Sequence, residues 1–222
     1  MTTLTLTIGN KNYSSWSLRP WLAMKVAKVP FQEVVIPLGQ PDTKKRIADI
    51  SPNGKVPVLN HDGLIIHDSL AICEYIAETF PHTELWPDER VDRAVARSLC
   101  AEMHSGFPAL RTALVMNVRR RFHPFYVRAE VLADIDRILR IWTQQREAYA
   151  MKGPFLFGPF SITDAFFAPV VTRFETYGVS VNHASRAYMD EILNLPAIRE
   201  WIKAAEEEPF DNASFEYSSV ST

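Results

Sequence analysis

SPNGKVPVLNHDGLIIHDSLAI, residues 51–72, contains the turns and the apolar spacing that decide the fold of this chain. Two short apolar runs flank Asp62 and Gly63, a pair that favours the positive φ angles of a hairpin turn. Asp68 and Ser69 then precede an apolar face at helical spacing, as residues at a helix N-terminus do. The stretch therefore predicts two antiparallel strands followed by a helix.

The residues before this stretch alternate between strand and helix patterns. Period-two spacing predicts a strand over residues 4–8, a helix follows over 17–28, a second strand over 31–36 and a short helix within 42–50. The crossover helix makes the first two strands parallel, whereas the hairpin makes the last two antiparallel. The order β-α-β-α-β-β-α therefore predicts an α/β domain with a mixed four-stranded sheet over residues 1–81.

The strand pattern stops at residues 82–88, which we interpret as a linker. Residues 89–210 then have helical spacing of apolar side chains, and one such stripe runs from Leu99 to Leu114 despite Pro108. This predicts an all-helical second domain. Residues 211–222 are polar and are expected to form a mobile tail.

The composition is that of an ordinary globular protein, with 47% hydrophobic residues among 222 and a formal net charge of -2. This charge gives no general attraction for nucleic acid or for an anionic membrane, so neither is expected as a partner. Cys73 and Cys100 lack metal-binding spacing and lie in apolar helical runs, which predicts buried thiols and no metal. We see no secretory signal and no apolar run of about 20 residues, so we expect a soluble cytoplasmic protein.

The first candidate site is the loop Asn12-Tyr-Ser-Ser-Trp-Ser-Leu-Arg-Pro20, between the first strand and the first helix. Ligands of open α/β sheets gather at such strand ends, and the free N–H groups of a helix N-terminus favour an anion. The hydroxyls of Ser14 and Ser15 are therefore candidates for stabilising a developing negative charge. The alternative is that one of these serines only caps the helix.

Two further pairs are candidate contacts for a peptide ligand. Pro57 has no N–H, so Val56 before it can offer free backbone groups to an extended peptide, and a cis bond would orient them. Ser69 at a helix N-terminus can bind a carboxylate, while Asp68 can pair with an ammonium group. Taken separately, each pair also has an ordinary explanation, namely a turn into an edge strand and a helix N-cap.

Together and in this order, these features resemble the soluble glutathione transferase family over nearly the whole chain. SPNGKVPVL and DSLAI match its glutathione-site signature, and Ser161-Ile-Thr-Asp164 resembles the capping box of its helical domain. The resemblance implies a thioredoxin-like N-terminal domain followed by an all-helical domain, a homodimer, and glutathione as co-substrate. The second substrate would lie mostly against the helical domain.

The resemblance also implies which residues bind glutathione. Val56 corresponds to the residue whose main chain pairs with the cysteinyl part, and Pro57 to the cis-proline that follows it. Ser69 corresponds to the ligand of the γ-glutamyl carboxylate, with Asp68 as its acidic neighbour. Further contacts are expected from Lys55 and Gln40.

Two serines remain open as the group that activates the glutathione thiol. Ser14-Ser-Trp-Ser resembles the Ser-Ser-Cys-Ser of zeta-class members, which points to Ser14, whereas the distance to Arg19 in other serine-type classes points to Ser15. Trp16 replaces the zeta-class cysteine, and no cysteine precedes Cys73, so redox chemistry by a protein thiolate is not expected. The serine would donate a hydrogen bond to the thiolate and would not act as a nucleophile.

The sequence also offers candidate residues for the second-substrate pocket. Trp16, Phe107 and Tyr126 are candidate walls of an apolar pocket, although aromatic residues at helical spacing usually belong to the core. The basic run Arg119-Arg-Arg121 either binds an anionic co-substrate or, as such runs usually do, forms a solvated helix face.

Three functions are therefore compared. The main hypothesis is a transferase in which the glutathione thiol attacks a small electrophile. A zeta-type, glutathione-dependent cis-trans isomerase acting on a maleylacetoacetate-like substrate is the first alternative. A non-catalytic binding protein on the same fold is the second, and the presence of Ser14, Ser15, Pro57 and Ser69 argues against it because a scaffold has no need of a peptide site.

Overall fold

A computed structural model describes residues 3–122 and 127–216. Four strands form one sheet in the order β2-β1-β3-β4, with β1 at Leu4–Ile8, β2 at Gln32–Val35, β3 at Val58–His61 and β4 at Leu64–His67. β1 runs parallel to β2 and antiparallel to β3, with Leu6 opposite both Glu33 and Leu59. A crossover helix and a hairpin impose this arrangement, so the mixed sheet predicted from the sequence is confirmed.

Three helices belong to this domain: α1 at Ser15–Val26, α2 at Thr43–Ala48 and α3 at Ser69–Thr79. α1 is the most deeply placed of them, because Leu18, Trp21 and Leu22 are all fully buried. It packs against α3 in its own domain and against two helices of the second domain. A helix that is apolar all round is buried all round, and this places the N-terminus of α1 at the boundary between the domains.

A 3₁₀ turn at Pro81–Thr83 leads into the second domain. Its helices are α4 at Arg90–Ser105, α5 at Pro108–Ala113, α6 at Ala129–Tyr149, α7 at Ile162–Tyr177, α8 at His183–Asn194, α9 at Pro196–Glu207 and α10 at Ala213–Glu216. The predicted order of a mixed α/β domain followed by helices is therefore confirmed. In residues 3–122 and 127–216, no helix combines the length and the apolar character needed to cross a membrane.

The apolar stripe from Leu99 to Leu114 is not one helix. The chain breaks at Gly106, and Phe107 adopts a positive φ of 60° before α5 begins. A Cβ at Gly106 would lie 2.7 Å from the carbonyl oxygen of Glu102, which favours glycine at this bend. The Phe107 side chain is buried in the core and lines neither of the cavities described below, contrary to the expectation of a pocket wall.

The two domains share one hydrophobic core. α7 packs against α1 across the boundary, and the rings of Trp21 and Trp201 meet with their centroids 5.0 Å apart. The Trp201 indole N–H donates to the carbonyl of Lys11 over 2.8 Å, and the Glu208 carboxylate accepts the N–H groups of Lys11 and Asn12. The loop after β1 is therefore fixed by the second domain as well as by the first.

The basic run and the C-terminal segment differ from the expectation. Residues 119–121 lie in a turn after α5 and not on a helix face. Arg119 donates to the Tyr13 hydroxyl over 2.9 Å and to the Asp211 carboxylate over 2.5 Å, and its side chain is only 18% exposed. The interpretation as a solvated helix face is therefore wrong for Arg119. A mobile tail also does not account for residues 211–216, which contact the first domain.

Candidate active site

A cleft at the domain boundary contains most of the predicted site residues. It consists of two adjoining cavities of about 340 and 430 Å³, whose walls share Trp16, Lys55 and Val56. The walls of the smaller cavity are completed by Asn53, Pro57, Asp68, Ser69 and His104. The walls of the larger cavity include Ser14, Ser15, Arg111, Arg173 and Phe215.

The serine loop, residues 12–17, meets the larger cavity at the N-terminus of α1. The carbonyl of Ser14 accepts the N–H of Leu18 over 3.2 Å, so Ser14 is the residue before the first helical turn. Its side chain makes no hydrogen bond to the helix N–H groups, which a serine acting as a cap would do. The capping alternative is therefore wrong for Ser14, and the first-turn N–H groups of α1 have no acceptor from its side chain.

The two candidate serines have different partners. The Ser14 hydroxyl donates to Ser17 Oγ over 2.7 Å. The Ser15 Oγ accepts from Nη2 of Arg173 over 3.2 Å. Because a guanidinium can only donate, the Ser15 proton remains available for an acceptor in the cavity, and the adjacent positive charge makes this hydroxyl a stronger donor. Ser15 is therefore the better placed of the two to stabilise an anion.

Tyr13 carries a third hydroxyl in the same loop, but this hydroxyl already has three hydrogen-bond partners. It donates to Glu216 over 2.5 Å, and it accepts from Arg119 over 2.9 Å and from the N–H of Asn212 over 3.1 Å. Burial, together with the hydrogen bond to Glu216, raises the pKa of Tyr13 above its ordinary value. A phenol with these partners is not suited to activating a thiol.

The facing wall of the cleft comes from residues 51–57. The Ser51 hydroxyl donates to the carbonyl of Lys55 over 2.7 Å and accepts its N–H over 3.2 Å, which closes a turn around Gly54 at a φ of 66°. The Val56–Pro57 peptide bond is cis. Val56 lies before the paired part of β3 and lines both cavities, so an extended peptide can lie alongside it.

Asp68 caps α3 and contacts the second domain. Its Oδ1 accepts a first-turn N–H over 2.8 Å, and its Oδ2 lies 3.1 Å from Nε2 of His104 on α4. Burial, with the charges of Arg19 and Arg111, lowers the pKa of His104 against the opposing attraction of Asp68, so a neutral ring donates this contact at neutral pH. The hydroxyl of Ser69 is buried and accepts from Arg19 at 3.5 Å.

Three arginines converge near Trp16. The guanidinium carbons of Arg19 and Arg111 lie 4.4 and 4.8 Å from the centroid of this ring. Burial, with repulsion from Arg111, lowers the pKa of both Arg19 and Arg173 to about 9, so all three side chains stay charged at neutral pH. Among the described residues, none of the three forms a salt bridge. The larger cavity is therefore lined by two arginines, Arg111 and Arg173, that have no salt-bridge partner among the described residues, although the charge of Asp134 attracts Arg111.

The two cysteines do not belong to this chemistry. Cys73 and Cys100 are free and buried, and burial raises the pKa of both thiols far above the ordinary range. A buried thiol with a raised pKa does not provide a thiolate at neutral pH. The described part of the chain also contains no cluster of three or more His, Cys, Asp or Glu side chains that could hold a metal ion.

Comparison with known proteins identifies the family. Models of the glutathione S-transferase N-terminal domain and of the glutathione S-transferase C-terminal domain match residues 13–79 and 125–204. The first match contains the serine loop from Tyr13 onward and the cis-proline, and the second contains Arg173. The chain belongs to the glutathione S-transferase family.

Relatives within the family differ in the activity that their names state. A protein of Caenorhabditis elegans named "Probable maleylacetoacetate isomerase" is 35% identical over 104 residues, which are 47% of this chain and 48% of that protein. Glutathione S-transferase hmp2 of Hypomyces subiculosus is 28% identical over 192 residues, which are 81% of this chain and 89% of that protein. The chain spans about half the length of the isomerase relatives that it matches.

A solved structure shows the same arrangement of both domains. A glutathione transferase homologue from Burkholderia, determined with bound glutathione, has a TM-score of 0.71 at 22% identity and covers 94% of this chain and 100% of its own. At this identity the likeness establishes the fold. This chain therefore has the thioredoxin-like domain and the helical domain of a glutathione S-transferase.

Most of the site residues predicted from the sequence meet in the cleft, on both sides of the domain boundary: Ser14, Ser15, Trp16, Lys55, Val56, Pro57, Asp68 and Ser69. Gln40 lines neither cavity, and its backbone N–H donates to Thr43 Oγ1 over 2.9 Å. Tyr126 lies outside the described residues.

Sequence reasoning assigned no role to several side chains of this glutathione S-transferase cleft, among them Asn53, His104, Arg111, Arg173 and Phe215. Arg173 had a detectable signal, because it is the one charge in the run AFFAPVVTRF, whose members are all buried in α7. An ionised side chain in such a helix needs a polar partner or a ligand. The other four have no comparable signal, since their place in the cleft depends on chain segments distant in sequence.

Proposed function

We propose that this protein is a glutathione transferase in which the Ser15 hydroxyl activates the thiol of bound glutathione. The hydrogen bond from Arg173 to Ser15 carries the proposal. It occupies one lone pair of the hydroxyl oxygen and leaves the proton free to be donated at the N-terminus of α1. A donor next to a guanidinium and a helix N-terminus favours the thiolate over the thiol.

Glutathione would lie across both cavities, with its sulfur near Ser15. Its cysteinyl main chain pairs with Val56 beside the cis Pro57, as in an added strand. The γ-glutamyl carboxylate binds the hydroxyl and backbone N–H of Ser69, and the ammonium group binds Asp68. Lys55 is exposed and lies at the rim shared by the two cavities. Its ammonium group can therefore pair with the glycine carboxylate of glutathione placed in this way.

The protein has to lower the pKa of the glutathione thiol by only about one or two units. A free thiol has a pKa of about 8.5, so only a small fraction is thiolate at neutral pH. Charge-assisted hydrogen bonds contribute about 1.5–3 kcal/mol, which corresponds to a decrease of about one to two pKa units. The thiol proton passes to water, a carbon–sulfur bond forms with the electrophile, and a leaving group departs or the adduct is retained.

A glutathione-dependent cis-trans isomerase is the second candidate, and the arginines of the larger cavity favour it because neither has a salt-bridge partner in the part of the chain that the structure describes. Arg111 and Arg173 line the cavity that contains Ser15, and a carboxylate on the second substrate would balance their charge. The nematode relative is named as an isomerase of maleylacetoacetate, a carboxylate-bearing compound. In this reaction the thiolate adds to a double bond, rotation follows, and the thiolate leaves, so no group is lost.

We also propose a cytoplasmic homodimer. Two free, buried cysteines are suited to a reducing compartment. Large apolar side chains are exposed at the edge strand β4, at Leu64 and Ile65, and on α4, at Val91 and Val95. A second copy of the chain covering these side chains would remove apolar surface from water.

The pKa of the glutathione thiol in the bound state tests the role of Ser15. Thiolate ultraviolet absorbance is titrated against pH in the wild type and in Ser15→Ala and Ser14→Ala variants. We expect Ser15→Ala to raise the pKa by about one unit or more and Ser14→Ala to change it little, because only Ser15 is polarised by Arg173. A larger rise in Ser14→Ala would reassign the activating serine.

Retention on immobilised glutathione, followed by assays with an aryl halide and a maleyl compound, tests the function itself. Retention with turnover of the aryl halide supports the transferase, and turnover of the maleyl compound alone supports the isomerase. A correctly folded protein that is neither retained nor active would show a non-catalytic binding protein instead.

A further inference from the structure

The segment after α9, residues 211–216, makes polar contacts with Tyr13 of the first domain and with residues 117–120 of the second. Asp211 accepts from Arg119 over 2.5 Å, and the N–H of Asn212 donates to the Tyr13 hydroxyl over 3.1 Å. Glu216 accepts from the same hydroxyl over 2.5 Å. Tyr13 directly precedes the two candidate serines, so this segment is tied to the loop that would hold the glutathione sulfur.

Glu216 is the central anchor. Its carboxylate also accepts from Nε of Arg120 over 2.8 Å and from the side-chain amide of Asn117 over 3.1 Å, and its side chain is 15% exposed. Burial alone would raise its pKa, but the hydrogen bonds from Tyr13 and Arg120 lower it below the ordinary value. The carboxylate is therefore ionised at neutral pH, and charge-assisted hydrogen bonds of this kind are the strong ones.

These anchors place Phe215 in the wall of the larger cavity. Its carbonyl accepts from the Asn117 amide over 3.0 Å, and its ring lies 5.3 Å from the Tyr13 ring at an interplanar angle of 39°. The same cavity is lined by Ser15 and Arg111. Phe215 thus adds an apolar surface to a cavity that already contains a hydroxyl donor and a positive charge.

We propose that Phe215 is a specificity-determining residue that contacts the apolar body of the second substrate. The proposal rests on the proposed function, because the second substrate is defined as the molecule that the glutathione thiol attacks. A molecule with an unsaturated or aromatic body and an anionic end matches this cavity, with the body against Phe215 and the anion near Arg111. The anchors at Glu216 and Asp211 fix the position of the ring.

Phe215→Ala tests this assignment, with Phe210→Ala as the matched control. Phe210 directly precedes the same segment, is 37% exposed and does not line the cavity. We expect Phe215→Ala to raise KM for an aromatic electrophile by about fivefold or more while KM for glutathione and the pKa of its bound thiol stay the same. The preference for an aromatic over a small aliphatic electrophile should decrease as well. Equal effects of the two variants, or an equal rise in KM for glutathione, would overturn the assignment.

Binding of 8-anilinonaphthalene-1-sulfonate, an aromatic anion, separates this proposal from the proposed function because it needs no turnover. We expect Phe215→Ala to weaken binding and Phe210→Ala to leave it unchanged. Binding that depends on Phe215 in a protein without glutathione activity would overturn the proposed function and keep the pocket role of Phe215. Binding that is the same in wild type and Phe215→Ala would overturn the role of Phe215.

Glu216→Gln examines the anchor without changing the cavity wall. The glutamine amide has the shape of the carboxylate but lacks the negative charge to which Arg120 and Tyr13 donate. We therefore expect KM for the aromatic electrophile and dye binding to change in the same direction as in Phe215→Ala, but by less. The effect should be larger at high salt, since screening weakens the remaining contact between Arg119 and Asp211. If Glu216→Gln leaves KM and dye binding unchanged at all salt concentrations, the segment is not held by this anchor.

Discussion

The Arg173 side chain binds two backbone carbonyls and also donates to the Ser15 hydroxyl. Its Nε donates to the carbonyl of Leu114 over 2.7 Å and its Nη1 to the carbonyl of Pro169 over 3.2 Å, which fix the plane of the guanidinium. The remaining Nη2 reaches Ser15. A planar donor held at three points keeps its direction, whereas a lysine at this place would supply one flexible charge. The Ser15 hydroxyl, which we propose as the activating group, is therefore oriented by the protein itself.

Arg111 offers a way to separate anion binding from thiol activation, because it lines the same cavity without contacting Ser15. We expect Arg111→Gln to raise KM for a maleyl substrate by about tenfold or more, since a charge-assisted hydrogen bond is lost, and to change KM for an uncharged aryl halide by less than about twofold. Steady-state kinetics with both substrates measure this difference. Arg128→Gln, at an exposed arginine outside both cavities, is the control. Equal changes for both substrates would show that Arg111 acts on the structure of the cavity.

The choice between Ser14 and Ser15 shows the limit of sequence reasoning at this scale. Two alignments that differ by one residue place the activating hydroxyl on different serines, and no local pattern decides between them. The structure separates them by their partners, Ser17 for the first and Arg173 for the second. Ser15 and Arg173 are 158 positions apart in the chain, so the contact that distinguishes the two serines is visible only in three dimensions.

At the scale of single elements, α7 illustrates how a buried helix begins. The N–H of Ser161 donates to Asp164 Oδ2 over 2.9 Å, and Asp164 Oδ1 accepts the N–H of Leu156 over 3.0 Å. The first of these bonds and the acceptance of a first-turn N–H by the Ser161 hydroxyl form the capping box predicted from the sequence. Burial nevertheless raises the pKa of Asp164 to about 6, despite the donors around it. The start of α7 therefore carries a carboxyl group that resists ionisation.

This raised pKa predicts a pH dependence of stability. The folded state binds the Asp164 proton more tightly than the unfolded chain, whose pKa is near the ordinary 3.8, so the free energy of unfolding should fall as pH rises from about 4 to about 6. The decrease from this group is at most about 3 kcal/mol. Denaturant unfolding measures this effect in wild type and in Asp164→Asn. The free energy of unfolding of wild type, relative to that of the variant, should decrease between about pH 4 and about pH 7.

Ser161→Ala is the matched control for this experiment. It removes a hydroxyl that donates to Asp164 and helps to lower its pKa, but it keeps the buried carboxyl group. The variant should therefore be less stable overall and show a fall in stability with rising pH at least as large as that of the wild type. A pH dependence that is the same in Asp164→Asn as in wild type would contradict the raised pKa.

The elements themselves were largely predictable, and the exceptions have physical causes. Alternation and turn residues predicted the strands and α3, because these signals are local. The break between α4 and α5 was not predicted, because apolar spacing continues through Gly106 and Phe107 while the backbone changes direction. Helix α10 was missed because a polar sequence of this length has no helical signal of its own, and its contacts with Tyr13 and Arg120 come from tertiary structure.

At the scale of the whole molecule, the two domains share one hydrophobic core. Trp21 and Trp201 meet across the boundary, and Arg19 of the first domain donates to the carbonyl of Met103 in the second over 3.4 Å. The order of the domains follows from the sequence pattern, but these crossing contacts do not, because each joins segments far apart in the chain. One shared core implies one unfolding transition.

Thiol reactivity can show whether the two domains unfold together, because each domain contains one cysteine. Cys73 is on α3, Cys100 is on α4, and both are buried. We expect the native protein to react negligibly with a thiol reagent, because neither thiol is accessible or ionised. The single-thiol variants Cys73→Ala and Cys100→Ala should gain reactivity at the same denaturant concentration. Two separate midpoints would show that the domains unfold independently.

The contact between Arg173 and Ser15 has a consequence for how such proteins diversify. Ser15, at the proposed sulfur site, lies in the N-terminal domain, while Arg173, which donates to it, lies in the helical domain. A recombinant that joins residues 1–81 to the helical half of a different family member keeps every glutathione contact proposed for Val56, Pro57, Asp68 and Ser69, yet exchanges the group that polarises the serine. Shuffling of halves between genes would thus alter thiol acidity and substrate choice in a single step.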